Sequence, residues 1–119
     1  MTLSPDQFDK IAQAREVVIE TRKGDRASGT TIWVVVDEGT VFVRSVRGED
    51  GHWYRRPVAE PRVALTIGDD RFQFLAMPAS DPVSIERTSQ ALRRKYRGRS
   101  LEMMLMPETL STTLRLDPV

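Results

Sequence analysis

The segment Arg44–Arg56, "RSVRGEDGHWYRR", gathers four arginines, a serine, two glycines, the chain's only histidine and one of its two tryptophans. Arginine's planar fork matches the oxygens of a phosphate. Glycines such as Gly48 and Gly51 let backbone N–H groups come close to an anion. If the segment continues a strand, Phe42, Arg44 and Val46 share one face, and Val43, Ser45 and Arg47 share the other. Whichever face turns inward, one arginine then meets the interior wall, where an unpaired cation is costly. An anionic ligand would remove that cost. The competing reading is a solvated turn in which Glu49, Asp50 and Glu60 pair with the arginines, contacts worth little energetically. Arg55 and Arg56, directly after Trp53 and Tyr54, add weight to the ligand reading. The residues alone leave both open.

A second basic segment, Thr21–Thr31 ("TRKGDRASGTT"), reads as a loop between strands. Its Arg22, Lys23 and Arg26, with Ser28, Thr30, Thr31 and two glycines, have the composition of a phosphate nest. Polar, glycine-bearing loops are also the ordinary way to join strands, so this pattern counts only if it lies beside the first. "RRKYRGR" (Arg93–Arg99) reads as the solvated end of a helix, where cations complement the dipole. Met103, Met104 and Met106 read as core or dimer contact, with the edge of a flat ligand as the alternative. Trp33 and Trp53 are core residues or stacking surfaces for a ring system. His52 has no serine or carboxylate at a spacing that implies a triad. Tyr54 and Tyr96 are the candidate proton donors, and no catalytic residue is otherwise assigned.

The elements that must position these residues are short and mostly extended. Ser4, Pro5 and Gln7 form a helix start with capping-box spacing, followed by Phe8, Ile11 and Ala12 as an apolar stripe. Glu16–Gly24 reads as a strand. "TTIWVVV" and "TVFVRSV" flank the turn Asp37–Gly39. The apolar run Ile32–Val36 predicts a strand covered on both faces. "RVALTIG" and "RFQFLAM" alternate as a second hairpin around "GDD". Asp81-Pro82 opens a helix with Ile85, Ser89, Leu92 and Tyr96 on one face, and Gly98 is its expected stop. "LEMMLMPET" reads as a short helix or turn, and "LSTTLRL" as the closing strand. Six strands with few helices predict a mainly β fold with peripheral α-helices, a small antiparallel barrel. A one-layer sheet covered by helices is the alternative.

At 119 residues the chain is expected to be one domain spanning 1–119. Its net charge of +1 makes nucleic acid an unlikely main partner. The absence of cysteine excludes disulfides, thiolate nucleophiles and thiolate metal sites, and with one histidine no metal site is expected. No signal pattern or membrane-length apolar run is present, so a cytoplasmic protein without a membrane partner is expected.

"TIWVVVDEGTVFVRSVRGEDGHWYRR", "RVALTIG", "ALRRKYRGRS" and "TLRLDP" together resemble an uncharacterised bacterial family. That family is grouped with the pyridoxamine 5′-phosphate oxidase-like, flavin-binding split barrels. The resemblance runs from about residue 6 to the C-terminus and is most specific at "VRSVRG" and "WYRR". The layout also resembles the deazaflavin-dependent nitroreductase branch, where "GDRASG" echoes a "GRxSG"-like loop. Glu60-Pro61 stands where "NP" is common, a departure that puts a carboxylate near the expected phosphate. The resemblance implies a six-stranded split barrel acting as a homodimer, with FMN or a deazaflavin at the dimer interface. Carried over by position, it implies cofactor binding by Arg44, Ser45, Arg47, Arg55 and Arg56, with Lys23, Ser28 and Thr30 nearby; Trp53 is the further cofactor-binding candidate. An oxidoreductase acting on a small molecule is the expected function. The alternative is a non-enzymatic split-barrel dimer that binds a small ligand or no cofactor. Loss of Arg44 or Arg47 is expected to weaken cofactor binding by about 1–3 kcal/mol without unfolding the protein.

Overall fold

The computed structural model describes residues 3–119. Helix α1 (Pro5–Gln13) starts as its sequence dictates: the Ser4 Oγ accepts from the Gln7 N–H at 3.2 Å, and Gln7 Oε1 accepts from the Ser4 N–H at 2.7 Å. Its Ile11 is fully buried in the barrel interior. Strands β1 (Val17–Lys23) and β2 (Arg26–Ile32) form a hairpin whose tip is Gly24-Asp25. The segment Thr21–Thr31 is therefore almost entirely ladder rather than the loop its composition predicts. Strands β3 (Val35–Asp37) and β4 (Thr40–Val43) pair across Glu38-Gly39. Both turn residues have positive φ, 48° and 76°, as the tightest hairpins require.

After β4 the chain leaves the sheet. It makes a 3-10 turn at Gly48–Asp50 and then a helix, α2 (His52–Ala59), where the sequence reads as an open turn. Pro57 inside that helix masks it from a propensity reading, because proline removes a backbone donor. Strands β5 (Arg62–Ile67) and β6 (Asp70–Pro78) form the expected hairpin. Helix α3 (Pro82–Lys95) is capped by Asp81, whose carboxylate accepts from the Ser84 N–H at 3.0 Å. It ends before Gly98, because Tyr96 turns extended and buries its ring. Two short helices follow, α4 (Arg99–Met104) and α5 (Pro107–Leu110). Strand β7 (Leu114–Pro118) closes the chain. It starts later than expected because the Thr112 and Thr113 hydroxyls donate to the Thr109 and Leu110 carbonyls, at 2.6 and 2.8 Å.

All seven strands form one antiparallel sheet in the order β2-β1-β5-β6-β7-β4-β3. The sheet edges, β2 and β3, are separated in the chain only by Trp33 and Val34. The sheet must therefore curl until its edges meet at that seam, without pairing there: a split barrel. The predicted six strands become seven because the long strand "TTIWVVVD" breaks at the seam. Alternation fills the interior with Val17, Ile19, Val63, Leu65, Phe74 and Leu116, among others. A second cluster lies outside the barrel, under α3 and α4, and contains Val35, Phe42, Leu92, Tyr96 and Met104. Ile32 and Val34 belong to the first cluster and Val35 to the second, so the run is covered on both faces as expected. Among the described residues no helix is long and apolar enough to cross a membrane.

Candidate functional site

Beside the seam lies a cleft of about 480 Å³. One wall is the end of β2 with Trp33, from Thr30 to Trp33. The opposite side is the chain leaving β4, Arg44–Arg47, and the start of α2, Gly51–Trp53. Glu16, Ser100 and Met104 complete it. Its volume falls within the roughly 300–1,000 Å³ usual for small-molecule sites.

The geometry of the turn comes from two glycines with separate reasons. Gly48 has φ +63°, and a Cβ there would stand 2.9 Å from the Glu108 carbonyl oxygen. Gly51 has ordinary φ, but a Cβ on it would stand 2.4 Å from Ser45 Oγ. Neither glycine offers its own N–H to a ligand: Gly48 N–H donates to the Ser45 carbonyl at 3.0 Å, and Gly51 N–H to the Gly48 carbonyl at 3.2 Å. What the close approach of Gly51 does is leave Ser45 Oγ room. That hydroxyl is buried, borders the cleft and has no hydrogen-bond partner among the described residues. Buried hydroxyls without partners are rare, and each calls for an explanation. Helix α2 also begins here without any side-chain cap, leaving first-turn N–H groups and the positive dipole end at the cleft.

The arginines of the segment separate into different roles. Arg44 follows β4 directly and is 1% exposed, beneath α3 and α4. Its Nε donates to Thr113 Oγ1 at 2.9 Å, its Nη1 to Ser89 Oγ at 3.1 Å and to the Met104 carbonyl at 3.0 Å, and its Nη2 to the Ile85 carbonyl at 3.1 Å. Met104 is the last residue of α4, so this guanidinium caps a helix end. Burial, reinforced by Arg93 and opposed by Glu86, pulls its pKa down to about 10, which leaves it charged at neutral pH. Arg44 is thus a structural staple rather than a ligand grip, and its loss should strongly destabilise the fold, contrary to the sequence expectation.

Arg47 is exposed, borders the cleft and makes no ion pair among the described residues. Arg55 pairs at the surface, with Nε donating to the Glu49 carbonyl at 3.0 Å and Nη2 lying 3.5 Å from Asp50. For this arginine the solvated-turn reading holds. Arg56 lies half-buried on α2, away from the cleft.

Of the remaining candidates, Thr30 borders the cleft and Lys23 and Ser28 do not. Lys23 pairs with Arg26 at the hairpin tip, whereas Thr30 pairs with Ile19 nearer the seam. Trp53 borders the cleft but is 8% exposed and packs in the barrel core, edge-on to Tyr54. Neither tyrosine is placed to protonate a ligand. Tyr54 lies outside the cleft, its phenol pushed up by burial and by Glu49. Tyr96 is buried, and its hydroxyl donates to the Arg15 carbonyl at 2.7 Å. "RRKYRGR" is a helix end: Arg94 pairs with Asp37 at 3.1 Å, and Arg97 donates to the Arg93 carbonyl at 2.6 Å. Glu16 and Ser100 escaped the sequence reading because nothing in their local pattern marks them. Met104 reaches the cleft as the less favoured reading of the methionine cluster allowed.

The fold has many counterparts among solved structures. A FAD-binding protein from Mycobacterium smegmatis superposes with a TM-score of 0.66 at 16% identity, covering 100% of this chain and 92% of that one. HutZ, the heme storage protein from Vibrio cholerae, gives 0.72 at 15% identity, over 100% and 92%. A provisionally named pyridoxamine 5′-phosphate oxidase from Listeria innocua gives 0.67 at 18% identity, over 92% and 88%. At these identities the likeness establishes the split-barrel fold. No curated protein matches the chain in sequence. A family model does match, over residues 7–116: the chain belongs to DUF2255, a family of uncharacterized proteins conserved in bacteria.

Proposed function

We propose that the cleft holds a flavin-type cofactor, FMN or a deazaflavin, and that the protein is an oxidoreductase acting on a small molecule in the cytoplasm. The observation that carries this reading is Ser45 Oγ: a buried hydroxyl without a partner, between the unpaired Arg47 and the uncapped start of α2. A phosphate would accept from all three, which is the chemistry of anion binding at helix starts. The other wall adds apolar surface from Ile32, Trp33 and Met104 beside Thr30 and Thr31. An amphipathic ligand with a flat ring and an anionic tail fits both ends, and a FAD-binding relative in fold supports the flavin class.

A bound flavin supplies hydride chemistry at its ring. The chain's part is to hold the anion through Arg47 and Ser45, to seat the ring, and to exclude water with Ile32 and Met104. Neither candidate tyrosine reaches the cleft to serve as a proton donor. That observation also favours a second reading, a binding protein without turnover.

A homodimer belongs to the proposal. The outer face of β1 and β6 is uncovered, with Val18 37%, Leu75 38% and Met77 39% exposed. Charges of both signs lie on β1 and on the strands beside β1 and β6, including Glu20 and Arg22 on β1, Arg62 on β5 and Asp117 on β7, so a second copy of the face can complement the first.

The test is a visible spectrum of the purified protein and titration with FMN and with a deazaflavin. Saturable binding that Ser45→Ala and Arg47→Ala both weaken supports the site. A folded protein that binds neither cofactor overturns it. Turnover of a reduced cofactor separates enzyme from binder.

A further inference from the structure

We propose that Trp33 is the stacking wall against which the planar ring of the ligand lies, a role the sequence left open to both tryptophans. The inference rests on the flavin reading above. The indole of Trp33 is half-buried and borders the cleft. One of its faces is closed: the Tyr96 ring lies parallel to it, at an interplanar angle of 0° and 3.9 Å between centroids. Tyr96 itself is fully buried and does not border the cleft. The surface that Trp33 offers the cleft is therefore its opposite face and edge.

The wall is also held rigidly, although it stands where the sheet pairing stops. Trp33 sits in the seam between β2 and β3, so no ladder fixes it. Tyr96 does so instead. Its hydroxyl donates to the Arg15 carbonyl at 2.7 Å and accepts from the Val34 N–H at 3.3 Å. Lys95 Nζ donates to the Val34 carbonyl at 2.6 Å. Val34, the residue after Trp33, is thereby tied to the end of α3 through both its N–H and its carbonyl. A pre-ordered aromatic face binds a ring with little ordering cost. Trp53 lacks these features, because its ring packs in the barrel core and edge-on to Tyr54.

The experiment uses the full chain carrying Trp53→Phe, in which Trp33 is the only tryptophan. FMN and riboflavin are titrated in, and binding is followed twice: by the flavin's own fluorescence anisotropy and by Trp33 emission. Saturable quenching of Trp33, with the affinity that anisotropy gives, is expected. Trp33→Ala should weaken FMN and riboflavin alike by roughly tenfold, and Trp33→Phe by less, in line with the worth of an aromatic stack. Arg47→Ala should weaken FMN and leave riboflavin nearly unchanged. Flavin binding with unaltered Trp33 emission, and unaltered affinity in Trp33→Ala, overturns the stacking role while the flavin reading stands. Absence of binding by anisotropy in the wild-type chain overturns the flavin reading, and the stacking role with it. If Trp53→Phe does not fold, the quenching lost between wild type and Trp33→Phe gives the same answer.

Discussion

Thr21–Thr31 and Arg44–Arg56 are alike in being basic and glycine-bearing, yet they end in opposite structural states. The first is a hairpin whose residues pair in register from Lys23↔Arg26 to Thr21↔Ser28 and onward. Its cations project from a ladder, and none of them borders the cleft at the seam. The second leaves the sheet after Val43, folds back through Gly48 and Gly51, and shuts a hydroxyl beside a helix start. An anion site thus needs backbone that has left the ladder and a second element to face it. Basic composition supplies neither.

The largest effect that bears on this contrast is expected at Arg44. Arg44→Ala would remove four hydrogen bonds to buried or part-buried groups, Thr113 Oγ1, Ser89 Oγ and the Met104 and Ile85 carbonyls, and leave a cavity, and should cost about 3–5 kcal/mol in chemical denaturation. A near-neutral result would return Arg44 to the ligand-binding group. Gly51→Ala comes next. Its new methyl group collides with Ser45 Oγ, and about 1–3 kcal/mol of stability should be lost. The double variant Gly51→Ala with Ser45→Ala should recover most of it, because the obstructing oxygen is gone.

Arg47→Ala should leave stability unchanged and weaken FMN binding by about 1–3 kcal/mol, read by titration. A smaller effect tests the seam that brings the β2 wall to the cleft. Burial, with Arg15 adding repulsion, pulls the Lys95 pKa down to about 8. Between about pH 8 and the usual lysine value near 10.5, the unfolded chain keeps a proton that the native state has lost, so stability rises with pH in that window. A gain of about 1 kcal/mol from pH 8 to 9.5 is expected, and Lys95→Met should flatten it. The smallest effect belongs to the first segment. Lys23→Ala should change neither stability nor FMN affinity measurably, and a clear loss of binding would erase the distinction between the two segments.

Much of the architecture was legible because local signals and burial agree. The Ser4 and Asp81 caps, the Glu38-Gly39 turn and the alternation of β5 and β6 each carry one physical meaning, and each appears in the fold. The site was legible only as a neighbourhood. Arg44 and Arg47 are the same residue type three positions apart, and only the helices packed outside β4 decide that one is a staple. Trp33 and Trp53 likewise differ in what backs them: Tyr96 lies sixty-three positions from Trp33, a separation no local pattern records. Helix α2 stayed hidden because Pro57 and the preceding glycines read as breakers. Its stability comes from Trp53 and Pro57 packing inward rather than from propensity.

The 2.4 Å between a would-be Cβ on Gly51 and Ser45 Oγ couples these two positions in this chain. A chain that keeps the hydroxyl at 45 is confined to glycine at 51, whereas a chain that has lost it is free to carry alanine there. Members of DUF2255 should therefore fall into two groups at this pair, and the group with serine and glycine together should be the one that retained the ligand.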